Sequence, residues 1–142
     1  MKRLTRGLAP WIGAVLLASS GCSLSTEPVA FQDFQWLAIE NSNDVTEGMD
    51  AAALGGDIAL LGQLKTPTLC FRLNADFDRS ASTLTVHVTA QQSTSPNCGT
   101  TPGGYRYTAA IRGLEKGDYT LQVIHTVQGS TDKSFSKTIS VR

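Results

Sequence analysis

Tyr105-Arg106-Tyr107-Thr108-Ala109-Ala110-Ile111-Arg112 is the stretch that decides the fold class. Tyr105, Tyr107, Ala109 and Ile111 alternate with Arg106, Thr108, Ala110 and Arg112. An amphipathic helix would place its apolar residues three and four apart. A period of two is the mark of an extended chain with one buried face. The same alternation continues toward the C-terminus. Tyr119, Leu121 and Val123 alternate with Thr120 and Gln122, and Phe135, Ile139 and Val141 with Ser134, Thr138 and Ser140. Toward the N-terminus, Leu84, Val86 and Val88 alternate with Thr85, His87 and Thr89, and Leu69, Phe71 and Leu73 with Cys70, Arg72 and Asn74. Ile58, Leu60 and Leu64 mark an earlier strand.

Turn chemistry separates these runs. Asp76–Ser82 is polar apart from Phe77 and Ala81, and Ser93–Gly104 holds Pro96, Asn97, Gly99, Pro102 and Gly103. Glu115–Asp118 and Gln128–Lys133 read as tighter turns. Six or seven short strands at this spacing predict an all-β, antiparallel sandwich over residues 54–142. Residues 22–53 stand apart as a tether, Cys22–Thr26, followed by a first packed segment. In that segment Phe34, Trp36 and Ala38 share a face if the chain is extended, and Phe31, Phe34, Leu37 and Ala38 share one if it is helical. The extended reading is preferred, and Asn41–Asp50 reads as a polar loop.

Leu114, Gly117, Tyr119, Leu121 and Val123 resemble the turn and penultimate strand of immunoglobulin-like and fibronectin-III-like domains. In those folds a tyrosine near the start of that strand donates a hydrogen bond back across the corner. The resemblance implies that role for Tyr119. The antibody pattern itself is not met: Leu121 stands where the second core cysteine would be, and the strand from Leu84 has no core tryptophan.

The N-terminus carries a second resemblance. Lys2, Arg3 and Arg6 precede an apolar stretch from Leu8 to Ala18, which ends at Ser19-Ser20-Gly21-Cys22. A basic start, a short apolar run and small residues at a cut are the parts of an export signal. The run is shorter than the roughly 20 apolar residues of a spanning helix. The segment resembles the signal peptide of bacterial lipoproteins, in which the cysteine thiol takes a diacylglycerol and the peptide is cut just before it. Ser19 stands where that family most often has leucine. The resemblance implies removal of residues 1–21, a lipidated N-terminus at Cys22 and a stable membrane anchor, since each buried methylene contributes about 0.8 kcal/mol. Ser23, in place of the aspartate that retains such proteins at the inner membrane, implies the outer membrane. An ordinary secretory signal with Cys22 beside its cut is the alternative.

Three cysteines are an odd number for an exported chain. With Cys22 taken by lipid, Cys70 and Cys98 remain, and an oxidising compartment lets them form a disulfide. Parity puts Cys70 opposite Leu69, Phe71 and Leu73, so the bridge would join a strand to the long loop outside the main core. Metal binding by the two thiols is the competing reading, with no clustered histidine to complete a site.

The chain has 12 basic and 12 acidic side chains. Loss of Lys2, Arg3 and Arg6 leaves it mildly acidic, which gives no electrostatic case for nucleic acid. Candidate sites are few. Asn74, Asp76 and Asp78, with Ser80 and Ser82, place oxygen atoms at every second position as calcium loops do. The glycine and glutamate of the helix–loop–helix calcium motif are replaced by Arg79 and Thr85, so a solvated turn is preferred. His87 and His125 fall on opposite faces by parity. Trp36, Tyr105 and Tyr107 would stack sugars if exposed, but their alternation favours burial. Asp57, Glu115 and Asp118 sit where charged residues normally flank strands. The expected protein is a lipid-anchored envelope module that binds a protein or polysaccharide without catalysis or cofactor. Its recognition surface would include loop Ser93–Gly104. A small inhibitor of an envelope protease or muramidase and a glycan-binding module are the alternatives.

Overall fold

The computed structural model describes residues 28–142, so the leader-like segment and Cys22 lie outside the described residues. Eight strands follow in order: β1 (Ala30–Ile39), β2 (Gly48–Leu54), β3 (Asp57–Thr66), β4 (Phe71–Ser80), β5 (Thr83–Gln92), β6 (Gly103–Arg112), β7 (Gly117–Val127) and β8 (Lys133–Val141). They form two four-stranded sheets, in the orders β1-β6-β3-β2 and β4-β5-β7-β8. The all-β sandwich expected from the alternation is present. It has eight strands rather than six or seven, and one pairing departs from the antiparallel expectation. β5 and β7 run parallel, Thr83 beside Thr120 through Ala90 beside Val127. The remaining pairings are antiparallel, as expected.

β6, the strand read first, lies inside its sheet between β1 and β3. Its inward residues Tyr105, Tyr107 and Ile111 meet Ile58, Leu60 and Leu64 of β3 and, across the interface, Leu84, Val86, Val88, Leu121 and Val123. Gly62 lies opposite Tyr107, where any β-carbon would collide with the phenol ring, so this glycine makes the space for it. Two hydrogen bonds that involve β6 side chains cross between the sheets. The Phe71 amide donates to Tyr105 Oη at 3.0 Å, and Tyr107 Oη lies 2.6 Å from His125 Nε2.

β1 resolves the ambiguity at Phe31–Ile39. The segment is a strand with a bulge: its register to β6 shifts between Gln32 and Gln35, and Asp33 adopts φ 57°. Aspartate tolerates this left-handed conformation better than most residues. The extra residue brings Phe31, Phe34 and Trp36 onto one face. The three-residue spacing of Phe31 and Phe34 that fitted a helix is the footprint of this bulge.

Three further boundaries differ from expectation. β2 occupies residues assigned to the end of the polar loop and the boundary at residue 54, so residues 30–53 are part of the sandwich. β4 runs through most of the expected turn Asp76–Ser82 to Ser80, leaving a two-residue hairpin at Ala81 and Ser82. Phe77 points inward there and stacks on Phe31, centroids 5.8 Å apart. On the opposite side of the sandwich Lys133 pairs with Glu47 and Lys137 with Asp50, and Lys137 Nζ also donates to the Ala51 carbonyl at 2.8 Å. The hydrogen bond from Lys137 holds the Asp50 carboxyl below the usual carboxylate range.

Candidate functional site

The two ends of the sandwich differ. At one end β1 begins, Ala30 lying beside Arg112 at the close of β6. At the other, Ile39 lies beside Gly104, and the β5–β6 loop emerges next to the start of β4. Ten-residue strands separate the two ends by roughly 30 Å.

The far end holds the Cys70–Cys98 disulfide, the pairing expected from the sequence. Its Cα atoms are 5.1 Å apart, within the normal range. Cys70 is buried immediately ahead of β4, and Cys98 sits in the middle of the loop. The Ser93 amide donates to the Cys70 carbonyl at 2.8 Å, so the loop is tied to the β4 entrance twice, covalently and through the main chain. Between loop and strand lies an open hollow of about 240 Å³, lined by Arg72, Ser93, Ser95, Asn97 and the disulfide. A guanidinium, an amide and two hydroxyls can donate to and accept from a polar or anionic group. None of them is a nucleophile with an adjacent base.

The other sequence candidates fall elsewhere. Asn74, Asp76 and Asp78 are exposed on the outward face of β4, a straight strand and not a loop. Alternate residues of a strand are about 7 Å apart, whereas calcium ligands must converge to about 2.4 Å from one ion. The structure does not bring these three together. Among the described residues no group of three or more His, Cys, Asp or Glu side chains is placed to hold a metal. His87 faces outward opposite Asp76, and His125 is sealed in the core, so the histidines are apart. Tyr105 and Tyr107 are buried, and Trp36 alone reaches solvent, edge-on to Tyr105 at 5.3 Å between centroids. Tyr119 is the third residue of β7, and its hydroxyl donates to the Glu115 carbonyl at 3.0 Å. Asp57 accepts from the Gly113 amide at 3.3 Å and Asp118 from the Ser140 hydroxyl, both at the end where β1 begins.

The outward faces of the two sheets are chemically unlike. Thr83, Thr85, Thr89, Thr120, Thr126 and Ser136 make the face of β4-β5-β7-β8 rich in hydroxyls. The face of β1-β6-β3-β2 shows Leu37, Leu54 and Leu61 around Ala52, Ala59 and Ala110. In the sequence Leu37 was read only as part of a helical face, and Leu61 was not singled out. Their signal was the break in alternation, an apolar residue at a position whose parity is outward. Comparison with known protein families, curated proteins and solved structures finds no match to this chain.

Proposed function

We propose that this chain is a lipid-anchored, non-catalytic binding module of the bacterial cell envelope, held through Cys22 and presenting its stapled loop away from the membrane. The observation that carries this reading is the opposition of the two ends. The sandwich starts at Ala30, a few residues after Cys22, and the disulfide-tied hollow lies at the other end. The intervening chain reaches roughly 25 Å at full extension. An anchor at Cys22 would tether the molecule by its Ala30 end, with the Arg72–Asn97 hollow at the opposite end. The disulfide supports an oxidising compartment, and the resemblance of Ser19–Cys22 to a lipoprotein cleavage site supports the outer membrane.

The ligand class that fits the hollow is a polar or anionic segment of an envelope protein or polysaccharide. The double tie on loop Ser93–Gly104 also favours the inhibitor reading, because a rigid loop enters a partner's cleft at lower entropic cost. Cys22→Ala is expected to move the full chain from the membrane fraction to the soluble envelope fraction; an unchanged membrane fraction removes the anchor. Crosslinked capture from envelopes with the wild-type chain is expected to recover a dominant partner that Arg72→Ala loses. Equal recovery by both removes the hollow as the binding site.

A further inference from the structure

We propose that the outer edge of β1 is a self-association site, at which two copies of this chain pair β1 to β1 antiparallel about a two-fold axis at Leu37. Among the described residues no strand pairs with this edge, so its outward amides and carbonyls have no ladder partner. Such edges are normally blunted by charge, proline, shortness or a bulge. The bulge of β1 lies ahead of Gln35 and leaves Gln35–Ile39 in continuous register, whereas the other three edges are blunted along their length. β4 carries Arg72, Asp76, Asp78 and Arg79, and β8 carries Lys133 and Lys137. β2 is only seven residues long and contains Asp50. In β1 the stretch Phe34-Gln35-Trp36-Leu37-Ala38-Ile39 has no charge and no proline, and the one charged residue of the strand, Asp33, is held at the bulge by Arg112.

This stretch is apolar on both faces. Trp36 is 41% exposed on the inward side and Leu37 57% exposed on the outward side. Apolar residues on both faces are the pattern of a strand interior to a sheet, yet β1 lies at an edge.

The sequence favours a second copy over a foreign strand because it is complementary to itself. An antiparallel pairing centred on Leu37 puts Leu37 against Leu37, Trp36 of one copy against Ala38 of the other, and Gln35 against Ile39. Trp36 thus meets a small residue on each side of the axis, and Leu37 packs on its own copy. Residues of like parity oppose each other, so inward faces stay inward and outward faces outward across the junction. The two four-stranded sheets become one continuous sheet, and an isologous contact of this kind closes at two copies. No charge on either strand asks for a counter-charge on a different partner. The inference is independent of the lipid anchor and of the hollow.

The test uses the full chain carrying Leu37→Cys, oxidised with copper–phenanthroline in lysates of expressing cells. Directly opposed antiparallel residues have Cα separations of about 4.5–5.5 Å, within disulfide reach. The expected result is a reducible band at twice the monomer mass, absent when the cysteine is placed instead at Thr120 on the other sheet. Light scattering of the purified wild-type chain should show a dimer that Leu37→Lys loses while keeping one cooperative thermal transition. A monomeric Leu37→Cys chain, a crosslink only to some other protein, or a dimer that persists in Leu37→Lys would each overturn the proposal.

Discussion

His125 carries an imidazole into the interior at 1% exposure, with Nε2 bonded to Tyr107 Oη and Nδ1 without a partner. Burial pushes its pKa down from 6.5 to about 4, with the nearby Glu47 carboxylate opposing the shift and Lys133 adding to it. Burial also pushes the Tyr107 phenol up. Because the folded pKa is depressed, the unfolded chain takes up a proton first as pH falls. Stability from this group is full above about pH 6.5 and is lost between there and about pH 4, by roughly 3 kcal/mol. Chemical denaturation across that window measures the slope, which His125→Phe is expected to flatten. Tyr107→Phe should cost about 1–3 kcal/mol by leaving a buried ring nitrogen unpaired, and the double Phe variant less than the two singles added. Tyr119→Phe should cost about 1 kcal/mol through the bond to Glu115, read as a shift in denaturation midpoint.

At the scale of elements, the Cys70–Cys98 bridge closes a span of 28 residues and should contribute about 3–4 kcal/mol in the chain-entropy description. Cys70→Ser with Cys98→Ser is expected to lower the thermal midpoint and expose loop Ser93–Gly104 to proteases first. The bridge was legible because the resemblance at Ser19–Cys22 sets one of the three cysteines aside and leaves a single pair. The strands with clean alternation were legible for a like reason: β5, β6 and β7 each bury one face. β2 was hidden because Ala51, Ala52 and Ala53 carry little strand preference. Half of β4 was hidden because its outward residues are those of turns. The bulge at Asp33 disguised β1, since one inserted residue turns a period of two into a spacing of three. The parallel β5–β7 pair was not legible at all: alternation says which face is buried and nothing about which strand lies alongside. For the same reason the sequence alone could not mark β1 as an edge.

For the whole molecule, the sandwich depends on its first strand. β1 supplies Phe31, Phe34 and Trp36, and Phe34 lies against Tyr107 at 5.8 Å between centroids. At roughly 1.5–3 kcal/mol for each large apolar side chain fully buried, and less for these half-buried ones, their loss removes several kcal/mol. A domain has only about 5–15 kcal/mol in total. A chain beginning at Gly48 is therefore expected to lose its cooperative thermal transition, while one beginning at Pro28 keeps it; circular dichroism melts distinguish the two. The opposition of Ala30 and the stapled loop has a mechanical consequence. A pull applied at the loop ahead of β6 and resisted at the start of β1 drags these antiparallel neighbours in opposite directions along their length. The load then falls on the whole β1–β6 ladder in shear, with its hydrogen bonds strained together instead of peeled one by one, so the domain resists tension along the line joining its two ends.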